Sequence, residues 1–160
     1  DANKVYAIDV GYGVLDWTLR NHPRVAVLER TNARTLRSLP EAIDFFCADV
    51  SFISLKLILP QASQWYSPSG GEAVILIKPQ FEATRGEAAL GSGVIRDPSI
   101  HLRVLTEVLG FAVGNDYHIN GLIPSPLLGP DGNREFLAWL SFPRASGISE
   151  DLQAFISSIF

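Results

Sequence analysis

Short apolar runs that end in a polar residue alternate along the chain with stretches of helical spacing. Val5-Tyr6-Ala7-Ile8 is rich in β-forming residues and stops at Asp9, with Gly11 and Gly13 breaking it. Val14 to Arg20 reads as a short helix closed by Asn21-His22-Pro23. Val25 to Leu28 follows as a second strand, then the polar stretch Glu29-Arg30-Thr31-Asn32. A third strand, Ile43 to Ala48, is nearly all apolar and ends at Asp49. Ile53 to Tyr66 has helical spacing, with Pro60 as a kink or first-turn residue. A turn over 67–71 leads into the buried strand Ala73 to Ile77, which ends at Lys78-Pro79. Phe81 to Arg96 has no periodicity and glycines at 86, 91 and 93, so it reads as a loop. Asp97-Pro98 has the form of an N-cap followed by proline at the first helical position, and that helix is expected to reach Val113 and stop at Gly114. Tyr117 to Ile123 is a strand, Gly129 to Asn133 a turn, and Arg134 to Phe142 a last strand in hairpin with the one before. Ile148 to Phe160 can form a short amphipathic helix. No internal repeat is visible.

Strands alternating with helices predict an α/β fold: a doubly wound, mostly parallel sheet covered on both faces. The closing hairpin puts an antiparallel strand at one side. This is the outline of a Rossmann-like relative of the dinucleotide-binding fold.

Composition narrows the class. With 160 residues, 47% of them hydrophobic and 19% charged, the chain can build one real core and is not disordered. The single cysteine, Cys47, excludes a disulfide framework and a thiolate zinc site; its position inside an apolar strand predicts a core role, and the thiol fits a reducing cytoplasm. His22, His101 and His118 have no ligand spacing, so no metal is expected. The apolar runs are far too short to span a bilayer, no secretory leader is visible, and no membrane partner is expected. Asp1-Ala2-Asn3-Lys4 runs straight into a strand, so the sequence is expected to begin inside a domain. The net charge of −4 runs against nucleic-acid binding, where phosphate contacts demand a basic surface. RNA affinity would have to come from 13 lysines and arginines focused on one face, or from a partner or further segment; the second is preferred.

In open parallel sheets, ligands bind outside the carboxyl ends of the strands. Asp9, Asp49 and Lys78 end strands there, and Glu135, starting the antiparallel strand, falls at the same edge. Singly, each has a plain structural explanation: a turn-forming aspartate, an Asx turn, a strand-end lysine reaching for water. Together they make a pocket with two acids, a lysine and one more acid. An acid at Asp9 can accept hydrogen bonds from both ribose hydroxyls of a nucleoside cofactor. A carboxylate beside a lysine favours the ammonium while burial favours the amine, a balance suited to taking a proton from a hydroxyl. Asp9-Val10-Gly11-Tyr12-Gly13 mimics a glycine-rich nucleotide loop, but Leu15 stands where a further glycine is needed. Ser51 has no Gly-x-Ser-x-Gly context, which removes acyl transfer.

Six blocks carry a resemblance: Asp9 to Trp17, Leu28 to Asn32, Ala48 to Lys56, Ile77 to Glu82, Val94 to Pro98, and Gly129 to Phe136. In order, over positions 5 to about 142, they resemble the signatures of the TlyA family, often labelled haemolysin A and grouped with FtsJ-like RNA methyltransferases. The resemblance implies a class I S-adenosylmethionine-dependent sheet and transfer of a methyl group to a ribose 2′-hydroxyl of cytidine in ribosomal RNA, free or in ribosomal subunits. It implies a Lys-Asp-Lys-Glu catalytic tetrad, with Asp49 as the aspartate, Lys78 as the central lysine and Glu135 as the glutamate. Asp9 falls on the acid that holds the cofactor ribose, with Val10 beside it, Thr31 and Asn32 near the adenine, and Asp49 bordering the same site. The family's first tetrad lysine and its glycine-rich cofactor loop lie upstream of the Asp9 block and have no match here; Lys4 is not that lysine.

The expectation is therefore a partial methyltransferase domain over 1–145, lacking its first strand, with a tail over 146–160. Alone it should bind S-adenosylmethionine poorly and be inactive. A second copy could complete the sheet as a homodimer. Two other readings compete: a membrane-active haemolysin, and a nucleotide-binding scaffold without catalysis. Against the first, the tail from Ile148 carries Glu150 and Asp151 and no lysine or arginine.

Overall fold

The computed structural model describes residues 2–144, 152–157 and 159. Its strands fall into two sheets. In the first, β1 (Val5–Ile8) runs parallel to β2 (Val25–Leu28), with Val5 opposite Val25 and Ile8 opposite Leu28. The second has β3 (Phe45–Ala48), β4 (Gly71–Ile77), β5 (His118–Pro124) and β6 (Phe136–Phe142) in the order β3-β4-β6-β5. β3 is parallel to β4, and β6 is antiparallel to both of its neighbours. The antiparallel strand of the hairpin is thus not at the rim: β6 lies inside, and β5 forms the edge. Among the described residues β1 pairs only with β2, and β3 only with β4.

Alternation along the strands decides which side chains form the core. Ala73, Ile75 and Ile77 of β4 and Phe136, Ala138 and Leu140 of β6 are fully buried on one face. Against them packs α5 (Pro98–Gly114), through Val104, Leu105, Val108, Leu109 and Ala112, at the i, i+1, i+4, i+5 and i+8 spacing of one helical face. The opposite face is open: Phe45, Ile123 and Trp139 are exposed there. Cys47 shares it. The prediction of a core cysteine fails because Phe46 and Ala48 take the buried positions of β3 and leave Cys47 exposed between them. Coverage of both faces was expected; the described residues cover one.

Several predicted elements change length for local reasons. The helix expected over 14–20 is only α1 (Trp17–Arg20), because the Asp16 side chain accepts from the Thr18 N–H at 2.8 Å and sets the first turn there. The helix expected over 53–66 splits into a 3₁₀ turn, Leu55–Leu57, capped by Ser54, and α2 (Leu59–Ala62). Pro60 cannot donate to the turn before it, so the ladder restarts at its own first turn. The expected loop over 81–96 holds the end of α3 (Pro79–Glu82) and all of α4 (Arg85–Leu90). The glycines masked a capping box: Thr84 and Glu87 satisfy each other's backbone N–H groups. The long helix begins as predicted, with Asp97 accepting from Ser99 and Pro98 in the first turn, but Gly114 is its last residue and Asn115 the cap. In the tail, α6 (Leu152–Ser157) docks Ile156 fully into the core, with Leu152, Phe155 and Ile159 packed beside it. The start proposed for that helix at Ile148 lies outside the described residues.

Candidate active site

The second sheet gathers three of the predicted residues at one edge. Asp49 follows β3 directly and Lys78 follows β4. β6 meets β4 with Phe136 opposite Ile77, so one further step of the same register sets Glu135 opposite Lys78. The Ser125 N–H donates to the Glu135 carbonyl at 2.8 Å, which holds the backbone of Glu135 just before the strand it was expected to begin.

Lys78 Nζ is 2.6 Å from Asp49 Oδ1, and it donates to Ser51 Oγ at 3.4 Å. The lysine side chain is 12% exposed and the aspartate 68%, so the lysine rises through packed surroundings to a carboxylate at the rim. Pro79 then fixes the first turn of α3 and turns the chain away from the sheet, leaving the lysine head at the edge. Glu135 is deeply buried, and Gln80 Nε2 donates to its Oε1 at 2.9 Å. A Cβ at position 129 would stand 2.3 Å from that same oxygen, so Gly129 is needed for the carboxylate to lie where it does.

Three residues at this edge have contacts that the sequence did not predict. Phe52 has a positive φ of 62° and is 90% exposed, with its ring 4.8 Å from that of Phe81. An exposed aromatic in a left-handed conformation is uncommon, and the strain places a flat apolar ring against Phe81, in the loop that follows Asp49. Ser51, set aside as a nucleophile, is a lysine partner instead. Glu82 accepts from Ser54 Oγ at 2.6 Å and from the Leu55 N–H at 2.7 Å, tying the turn after Lys78 to the loop after Asp49. Burial pushes its carboxyl above the ordinary range, and these hydrogen bonds oppose the rise. The Ser-x-x-x spacing alone does not show such a tertiary cap; only the Glu82 position near Lys78 in sequence hints at it.

The first sheet holds the other group. Asp9 follows β1, and its Oδ1 accepts from the Gly11 N–H at 2.6 Å, so the turn-forming role is realised. The Thr31 N–H donates to the Asp9 carbonyl at 3.0 Å, which brings Thr31 and Asn32 beside Asp9. Val10 is largely exposed next to them. Thr31 and Asn32 spend side-chain bonds locally, on the Glu29 carbonyl and the Arg34 N–H. Glu29 accepts from the Gly13 N–H at 2.7 Å and pairs with Arg20, whose guanidinium holds the carboxyl below the ordinary range. Among the described residues no group of three histidines, cysteines or carboxylates could hold a metal. His101 Nε2 donates to the Ile95 carbonyl at 3.0 Å, and burial lowers its pKa.

A sheet whose carboxyl edge carries a partly exposed lysine, with an acid at the end of each neighbouring strand, invites comparison with nucleotide-dependent transferases. Residues 1–142 match the model of the FtsJ-like methyltransferase family. The chain belongs to this family. It is 48% identical over 143 residues to the 16S/23S rRNA (cytidine-2′-O)-methyltransferase TlyA of Mycobacterium tuberculosis, across 87% of this chain and 52% of that protein. A solved structure of a hemolysin candidate from Streptococcus thermophilus is 39% identical with a TM-score of 0.86, covering 98% of this chain and 58% of that one. A SAM-dependent methyltransferase from Methanosarcina mazei shares the fold at 13% identity and a TM-score of 0.60, over 89% and 83% of the two chains. The chain spans about half the length of the curated relatives it matches. Membership accounts for the Rossmann-like class and for the mixed order in which β6 enters between β4 and β5.

Proposed function

We propose that the protein transfers the methyl group of S-adenosylmethionine to the 2′-hydroxyl of a cytidine ribose in ribosomal RNA. The observation that carries this reading is the Lys78–Asp49 contact at 2.6 Å on the carboxyl edge of the sheet, with Glu135 next in register. In this reading Asp49 and Ser51 fix the lysine head, and the Lys78 amine takes the hydroxyl proton as the oxygen attacks the methyl carbon. When bound, S-adenosylmethionine would supply the methyl carbon for the new O–C bond, its sulfur keeping the electron pair of the C–S bond given up. The cofactor supplies an activated methyl group on a sulfonium; this chain supplies orientation and the proton acceptor. Asp9 and Val10 at the end of β1, with Thr31 and Asn32 beside them, suit the cofactor's ribose and adenine. Phe52, exposed in the loop that follows Asp49 and packed on Phe81, offers a face on which the target base can stack.

The test is product mapping. Labelled S-adenosylmethionine is incubated with the intact protein and ribosomal subunits, and the RNA is digested to nucleosides. Label in 2′-O-methylcytidine is the expected result; label on a base, or none with cofactor bound, sinks the proposal. Because β1 and β2 pair only with each other among the described residues, the 160 residues alone are expected to bind the cofactor weakly. Calorimetry on this chain should give a Kd in the millimolar range, about −4 kcal/mol; micromolar binding would contradict this account.

Membrane lysis is disfavoured by specific contacts. Leu152, Phe155 and Ile156 of α6 are spent on the core, and among the described residues no helix is long and apolar enough to cross a membrane. Leakage of dye from liposomes would revive that reading.

A further inference from the structure

We infer that Gln80 is a positioning residue for Glu135, its amide setting the orientation from which that carboxylate acts on the ribose hydroxyl held at Lys78. This rests on the site reading proposed above. Three observations converge. Glu135 is 5% exposed, and among the described residues the hydrogen-bond donor at its carboxylate is the Gln80 amide, 2.9 Å from Oε1. Gly129 closes the other side, since a Cβ there would lie 2.3 Å from Oε1 and 2.7 Å from the carboxylate carbon. The carboxylate is thus held between a donor and a bare backbone, with one orientation open to it.

The third observation concerns the amide itself. Gln80 Oε1 is buried without a partner, which natural folds seldom leave. A carboxylate accepts and cannot donate, so it dictates that the NH₂ end of the amide faces Glu135 and the oxygen faces away. The position keeps a donor aimed at Glu135 at the cost of an unmet acceptor. Gln80 also lies two residues after Lys78, on the turn that Pro79 fixes. The turn that directs the lysine therefore carries the group that directs the acid of the neighbouring strand, and the two active groups are set from one short segment.

Single-turnover methyl transfer in the intact protein tests this with Gln80→Leu, Gln80→Glu, Glu135→Gln, Gly129→Ala and the double variant Gln80→Leu/Glu135→Gln. Gln80→Leu is expected to lower kcat by roughly 10²-fold, the scale of a misplaced group, with KM for RNA and the cofactor Kd unchanged. Gln80→Glu sets a second carboxylate against the buried Glu135, so it should show at least the same loss together with a lowered melting temperature. Gly129→Ala should reproduce it from the other side. In the Glu135→Gln background, Gln80→Leu should have no further effect, because two residues that act through one contact do not multiply. Losses that multiply, or a Gln80→Leu protein with wild-type kcat, overturn the inference. Lys78→Ala run alongside separates the two levels: if it is fully active the site reading falls and this inference with it, whereas an inactive Lys78→Ala beside an unimpaired Gln80→Leu refutes the role of Gln80 alone.

Discussion

Lys78→Ala is expected to lower methyl transfer by roughly 10²- to 10⁴-fold, the range of a lost proton acceptor, or about 3 to 5 kcal/mol of barrier. The fold should survive the change. Lys78 lies one residue beyond β4, and its partner Asp49 is 68% exposed, so removing the lysine strands no buried charge. Cofactor affinity should also hold, because Asp9, Val10, Thr31 and Asn32 belong to the other sheet. Lys78→Arg separates two roles for the lysine. Arginine keeps the positive charge but gives up no proton near neutral pH, so it should be as inactive as alanine if Lys78 accepts the hydroxyl proton. Substantial activity in Lys78→Arg, by transfer of labelled methyl groups to ribosomal subunits, would mean that the lysine acts through its charge alone.

How much of this was legible in the residue order depends on where each signal is local. Asp9, Asp49 and Lys78 stood out because each ends an apolar run, and a run of that kind leaves one polar residue at the edge where ligands bind. Glu135 was found by the direction of its strand. The structure adds the contact between Lys78 and Asp49, which two strands 25 and more residues apart create and no spacing encodes. Phe52 was missed because its meaning lies in a positive φ and in exposure beside the site, and neither follows from a phenylalanine in a Ser-Phe-Ile stretch. Gln80 was missed because its partner is 55 residues away. α4 was hidden by glycines that drew attention from the Thr84-Glu87 box. Cys47 departs from its expected core position because a continuous apolar strand reads as buried on both faces, while the described helices cover one.

Phe136→Ala should be the most damaging single change to stability, at roughly 3 to 5 kcal/mol. The ring is fully buried on β6, between Ile77 of β4 and Pro124 of β5 in register. His101 of α5 meets it edge to face at 5.6 Å, and the Arg134 guanidinium lies 5.6 Å from the same ring. Truncation therefore opens a cavity where the helix layer is joined to the central strand, at a point the surroundings cannot easily close. For a chain of this length the melting temperature should fall by roughly 10 °C. Because Phe136 adjoins Glu135, activity should drop well before unfolding begins. Trp139→Ala on the same strand is the control: the indole lies on the open face, 47% exposed, and its loss should cost about 1 kcal/mol or less. Urea titration of both variants decides the matter. A larger loss for Trp139 than for Phe136 would mean that the open face, and not the α5 face, carries the core of this chain.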